Sequence, residues 1–125
     1  MKRVSLAAIV IASAAVLSVP ARAGGDPVEG SKLFHSICTL CHTDIPHKAK
    51  VGPSLFGVIG RHVGSEPGYN YTDANKNSGI TWGPEILDKY LTSPQAIIPG
   101  TKMGYPGQKD PQKRQDIIAY LQTLH

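Results

Sequence analysis

The clearest chemistry in the chain lies in one pentapeptide, Cys38-Thr39-Leu40-Cys41-His42. Two thiols three residues apart, followed at once by an imidazole, form a C-x-x-C-H, the pattern of a covalent c-type haem attachment site. On a helix the thiols at i and i+3 share one face, within reach of the two vinyl groups of one porphyrin. His42, at i+4 from Cys38, then approaches the same haem plane as an axial iron ligand. Other readings of these residues are weaker. A structural zinc needs four ligands, and the adjacent Cys41 and His42 diverge by about 100° on a helix. A thioredoxin-like pair wants a βαβ context, and a disulfide here would close a very short loop and add little stability. Two cysteines are also too few for a disulfide-dense scaffold, an iron–sulfur cluster or an all-thiolate zinc site.

A haem iron has a second axial position, and the residues available for it can be counted. Beyond the first 23 residues the chain has one methionine, Met103, and four histidines besides His42: His35, His47, His62 and His125. His35 lies two turns upstream of His42, and His125 is terminal. A lone methionine in a loop is more often core filler. Met103, however, ends the stiff segment Ile98-Pro99-Gly100-Thr101-Lys102-Met103, in a protein that needs a second ligand. His/Met ligation raises the haem potential and fills both axial positions. That chemistry favours electron transfer over catalysis, since a haem peroxidase or a gas-binding module needs an open or exchangeable iron site.

Four helical segments are expected to position these groups. Asp26-Pro27-Val28-Glu29 is a helix start, with Asp as cap, Pro at the first position and an early acid. Gly30, Phe34, Ile37 and Cys41 follow at helical spacing, so this helix is predicted to run to about Cys41. Asp110-Pro111 repeats the start, and Arg114, Ile117, Ile118, Leu121 and Leu124 predict a helix from about Pro111 to Thr123. Gly83-Pro84-Glu85 opens a helix that closes before Pro94, and Thr72 to Asn77 forms a short one capped by Thr72. The Gly- and Pro-rich stretches 43–70 and 92–110 read as loops. No segment shows convincing strand alternation.

The bulk numbers mix two segments. The 125 residues carry 13 Lys+Arg against 9 Asp+Glu, a formal charge of +4. Met1-Lys2-Arg3, the apolar run Val4 to Val19 and Pro20-Ala21-Arg22-Ala23 have the order of a secretory signal peptide, so residues 1–23 are expected to be removed. The apolar run is shorter than the ~20 residues that span a bilayer. Residues 24–125 then form a single domain of 102 residues with a net charge of +1, of which 22 are Gly or Pro. A chain so turn-rich and poor in apolar side chains has trouble offsetting its conformational entropy. A large apolar cofactor in the core solves that problem.

From Gly30 to the end the sequence resembles the class I cytochrome c family, in particular the mitochondrial type and its periplasmic bacterial relatives. The resemblance is carried by Gly30, Phe34 and Cys38-Thr39-Leu40-Cys41-His42, then by the run from Gly52 to Arg61. It continues through the run from Gly68 to Trp82, Tyr90-Leu91, Ile98 to Met103, and Arg114 with Asp116 to Leu121. It implies an all-α cytochrome c fold, with three main helices, a short helix and long loops wrapped around one haem bound through Cys38 and Cys41, with His42 and Met103 as axial ligands. It further implies that the Pro53 carbonyl fixes the His42 ring. Arg61, Tyr71 and Trp82 would be donors to a buried haem propionate, and Asn75, Tyr90 and Thr101 a polar cluster that holds a water near the methionine. Gly30 and Phe34 would meet Tyr120 and Leu121 where the first and last helices cross.

The sequence also departs from that pattern. Tyr105 stands where the family commonly has Phe at the exposed haem edge. The segment 43–50 is one residue shorter than in the mitochondrial type, which leaves His47 without a family role. The expected function is one-electron transfer in the periplasm by a monomer that neither binds nucleic acid nor spans the membrane after processing. Its partners would be a quinol–cytochrome c oxidoreductase, a terminal oxidase, a photosynthetic reaction centre, or a periplasmic dehydrogenase or reductase. They would dock at the haem edge framed by Lys32, Lys50, Lys102, Lys109 and Tyr105. At +1, the docking force must come from where the few lysines sit.

Overall fold

In a computed structural model, described for residues 24–125, five α-helices and one 3₁₀ turn are joined by long loops. They are α1 (Pro27–Ile37), the 3₁₀ turn (Cys38–Leu40), α2 (Asp73–Lys76), α3 (Pro84–Thr92), α4 (Pro94–Ile97) and α5 (Pro111–Leu121). Among the described residues no strand forms, and only two isolated bridges occur, Thr43 with Ser54 and His62 with Thr81. The domain is therefore all-α, with α1, α3 and α5 as its main helices.

The starts follow the sequence signals. The Asp26 side chain accepts from the Val28 N–H, Asp110 from those of Gln112 and Lys113, and Thr72 from that of Asn75. Each cap satisfies backbone donors that the first turn leaves free.

Two expectations need correction. The first helix does not continue to Cys41: it ends at Ile37 and tightens into the 3₁₀ turn. The Thr39 hydroxyl donates to the His35 carbonyl at 2.7 Å, a local side-chain bond of the kind that disturbs regular helix. In a 3₁₀ turn residues i and i+3 eclipse, so the tightening brings Cys38 and Cys41 to the same side. The second correction is α4, which lies inside the stretch 92–110 read as loop. Its four residues are too few to show apolar periodicity, and Pro94 at its first position is pre-set for a helical turn.

Helices α1 and α5 cross at Gly30. A Cβ there would lie 1.8 Å from the Asp116 carbonyl oxygen and 2.9 Å from the Tyr120 Cβ, so the crossing requires glycine. The Phe34 and Tyr120 rings pack beside it, 5.2 Å apart. The buried Asp116 carboxylate ties the corner, accepting from the Asp26 backbone N–H at 2.8 Å and from Gln112 at 3.0 Å. Phe34, Val58, Leu87, Leu91, Ile117, Ile118 and Leu121 form the larger core cluster. Val63, Tyr90 and Ile98 form the smaller one, with Met103 packed against it, and Trp82 touches both. Residues of both clusters wall the cavity described next.

Candidate functional site

A cavity of about 580 Å³ opens among α1, the 3₁₀ turn and the loops around residues 51–58, 69–75 and 101–105. Its walls include Phe34, Leu55, Val58, Leu87, Leu91, Ile117 and Leu121. All eleven residues singled out from the sequence line it: Cys38, Cys41, His42, Pro53, Arg61, Tyr71, Asn75, Trp82, Tyr90, Thr101 and Met103. Both cysteines are free thiols. Burial, with a smaller contribution from the neighbouring Cys41, pushes the Cys38 thiol up to about 11.

The orientation of His42 is set by backbone. Its Nδ1 lies 2.8 Å from the Pro53 carbonyl, and because a carbonyl can only accept, Nδ1 carries the proton. The lone pair is therefore on Nε2, the nitrogen left for a metal. Burial lowers the basicity of the ring; the Pro53 bond opposes this and Arg61 adds to it. The neutral, ligand-competent form is favoured. Gly52 lies against the same ring, where a Cβ would stand 2.5 Å from His42 Cε1.

Arg61 is anchored rather than free. Its Nη2 donates to the Ser54 carbonyl at 2.6 Å, and its Nη1 to the Phe56 carbonyl at 3.1 Å and to Glu66 at 2.6 Å. Burial raises the Tyr71 phenol, against the opposing influence of Arg61. Trp82 packs edge-on to Tyr90 with ring centroids 4.7 Å apart. Of the expected polar cluster, Tyr90 and Thr101 are joined by a long contact of 3.4 Å. The Asn75 side-chain oxygen Oδ1 instead accepts from the Thr72 hydroxyl at 2.8 Å.

Met103 lines the cavity, its backbone N–H directed at the Thr101 hydroxyl. The other histidines are engaged elsewhere and line no part of it. His35 pairs with Asp44, His47 with Glu66, and His62 with the Thr81 hydroxyl, while His125 is exposed. Sequence reasoning passed over Glu66 and the role of Gly52. Gly52 entered the sequence reading only as the start of the run to Arg61, with no role of its own. Glu66, in a polar loop, gave no sign of burial.

The cavity fits a haem by its own chemistry. It offers apolar walls, two thiols held on one side of a 3₁₀ turn, an imidazole with a fixed tautomer and a thioether. Nitrogen and thioether donors are suited to haem iron. Among the described residues no group of three or more His, Cys, Asp or Glu is placed to hold a metal ion.

Each lysine expected at the docking face has an internal partner. Lys102 donates to the Asn70 carbonyl and lies 4.8 Å from the centre of the Tyr69 ring. Lys50 donates to the Thr39 carbonyl and Lys109 to that of Thr92. These bonds fix the positions of the charges without neutralising them. Lys32 differs, because Glu29 holds it at 2.6 Å and offsets its charge.

Helical frame, C-x-x-C-H turn and apolar cavity together define a haem-binding electron carrier. The family model for cytochrome c matches residues 27–125, and the chain belongs to that family as a class I c-type cytochrome. Members bind one covalent haem c, here through the C-x-x-C-H cysteines Cys38 and Cys41, and carry electrons rather than catalyse a reaction. The chain is 71% identical to cytochrome c2 of Rhodopila globiformis over 100 residues, 80% of this chain and 94% of that one. It is 48% identical to cytochrome c2 of Rhodomicrobium vannielii, over 100% of this chain and 98% of that one. Cytochrome c of Sesamum indicum is 49% identical over 78% of this chain and 88% of its own.

Proposed function

We propose that the chain is a periplasmic one-electron shuttle whose haem iron is held by His42 and Met103. The observation that carries this reading is that His42 and Met103 line the cavity of Cys38 and Cys41, while the other four histidines do not. Held by His42 and Met103, the haem would supply reversible one-electron chemistry and leave no open site for a substrate. The chain's own part is to fix the His42 tautomer, exclude water with apolar walls and present charge at the cavity mouth. Export rests on the order of residues 1–23, basic, then apolar, then a small-residue site, which lies outside the described structure.

Partners would be redox complexes that dock at the mouth, where Lys102 and Tyr105 line the cavity and Lys50 holds the Thr39 carbonyl. A quinol–cytochrome c oxidoreductase, a terminal oxidase and a periplasmic dehydrogenase or reductase all fit that chemistry. Electrostatic attraction would orient them and raise the association rate, more so at low salt.

The optical spectrum tests the ligand assignment. A weak far-red band of methionine bound to ferric iron is expected in the wild type and is lost in Met103→Leu. A high-spin ferric resting state, or rapid and complete binding of carbon monoxide by the ferrous protein at neutral pH, would overturn it.

A further inference from the structure

Glu66 is a buried carboxylate paired with Arg61, which lines the cavity; its side chain is only 5% exposed and both oxygens are engaged. Oε2 accepts from Arg61 Nη1 at 2.6 Å, and Oε1 meets His47 Nδ1 at 3.1 Å. A buried carboxylate is costly unless paired and hydrogen-bonded, so the position is specified. Arg61 has three of its five N–H donors committed, to Ser54, Phe56 and Glu66. Those bonds fix the guanidinium plane and leave two hydrogens for an acceptor in the cavity it lines. His47 approaches from the opposite loop with a left-handed backbone, φ 56°, a conformation that costs a non-glycine residue steric energy. The charged and titratable groups that face Glu66 are thus Arg61 and Tyr71 on the cavity side and His47 outside.

We infer that Glu66 is a positioning residue: it locks Arg61 against the cavity and lowers the reduction potential of the haem bound there, and protonation of His47 relaxes that effect. The inference rests on the haem-carrier reading above. Reduction adds one electron from the partner and lowers the net charge of the cavity by one. A carboxylate nearby favours the ferric state, and a cation the ferrous state. Without Glu66 the Arg61 charge would face the haem unopposed.

The test is spectroelectrochemical titration of haem-loaded wild type, Glu66→Gln, Arg61→Gln, the double variant and His47→Gln. At the wild-type midpoint, Glu66→Gln should raise the reduced-to-oxidised ratio at least roughly threefold, and by much less in the Arg61→Gln background, because neighbours acting as a unit are non-additive. The wild-type potential should fall as pH rises, more steeply than that of His47→Gln, which lacks the imidazole beside Glu66. An unchanged Glu66→Gln potential, or an equal shift in both backgrounds, would overturn the inference. If Glu66→Gln does not load haem, His47→Gln carries the test, since that side chain is 73% exposed and its loss leaves the buried pair intact. Coincident pH profiles of His47→Gln and wild type would then overturn it. Failure of the ligand assignment is read separately, in the wild-type far-red band.

Discussion

His42 and Pro53 stand eleven residues apart, and the proline carbonyl accepts the imidazole Nδ1 proton at 2.8 Å. The acceptor is backbone, so its position depends on the path of the loop and not on the proline side chain. Gly52 sets that path, leaving no room for a Cβ beside the ring. Gly52→Ala is therefore expected to displace His42, cost about 1–3 kcal/mol as overpacking does, and weaken the low-spin spectrum. Pro53→Ala keeps the carbonyl and should cost only the ~0.4–1 kcal/mol of added unfolded-chain freedom. Denaturant midpoints and ferric spectra of both variants decide the point, and an unperturbed Gly52→Ala spectrum contradicts it.

The crossing of α1 and α5 offers a second test. A Cβ at Gly30 would lie 1.8 Å from the Asp116 carbonyl oxygen, which sits in helix backbone and cannot rotate away. Gly30→Ala should separate the two helices and destabilise the protein by about 3 kcal/mol, the upper end of the usual overpacking range. The exposed Ser36→Ala on the same helix should stay within about 0.5 kcal/mol. Equal unfolding midpoints for the two variants would mean that the crossing is not tight at Gly30.

Removing the prosthetic group should remove the fold. At ~24 cal/mol per Å³, an apolar void of the cavity's volume costs at most about 14 kcal/mol. That is an upper bound, because the cavity without its haem is partly open to solvent, yet it is comparable to the whole stability of a domain, about 5–15 kcal/mol. Cys38→Ala with Cys41→Ala, or expression without haem attachment, is expected to leave a largely unfolded chain. A native-like helical circular dichroism spectrum from such protein would refute this.

How legible all this was in the sequence depended on how local the cause was. Asp26, Thr72 and Asp110 act on N–H groups two or three residues away, so their helix starts could be read directly. The C-x-x-C-H spacing and the single methionine after residue 23 gave a candidate site whose members meet in one cavity. The end of α1 at Ile37 was not readable, because a threonine bonding back to His35 leaves the apolar spacing unchanged. Glu66 and the role of His47 depend on a contact across nineteen positions, between two loops without periodicity. The resemblance placed Arg61 at the cavity, but the carboxylate that holds it can be found only in three dimensions.

Burial also fixes an alkaline limit to stability. It raises the Tyr90 phenol above its ordinary value, and the Thr101 contact only partly opposes this. Tyr71, Tyr105 and Tyr120 are raised as well, each by burial first. A phenol raised on folding keeps its proton in the native state after the unfolded chain has lost it. The unfolded state then binds fewer protons, and stability falls with rising pH. The contribution is complete below about pH 10, where the unfolded phenol titrates, and is lost as pH rises through the raised native value. The slope is at most about 1.4 kcal/mol per pH unit for each such group. Tyr90→Phe removes one of them. Because the 3.4 Å contact is long, the substitution should cost less than about 1 kcal/mol at neutral pH. Urea midpoints of the haem-loaded proteins from about pH 9 to 11, the range bracketing tyrosine ionisation, should decline less steeply for Tyr90→Phe than for wild type. Parallel declines would show that Tyr90 takes no part in the alkaline loss.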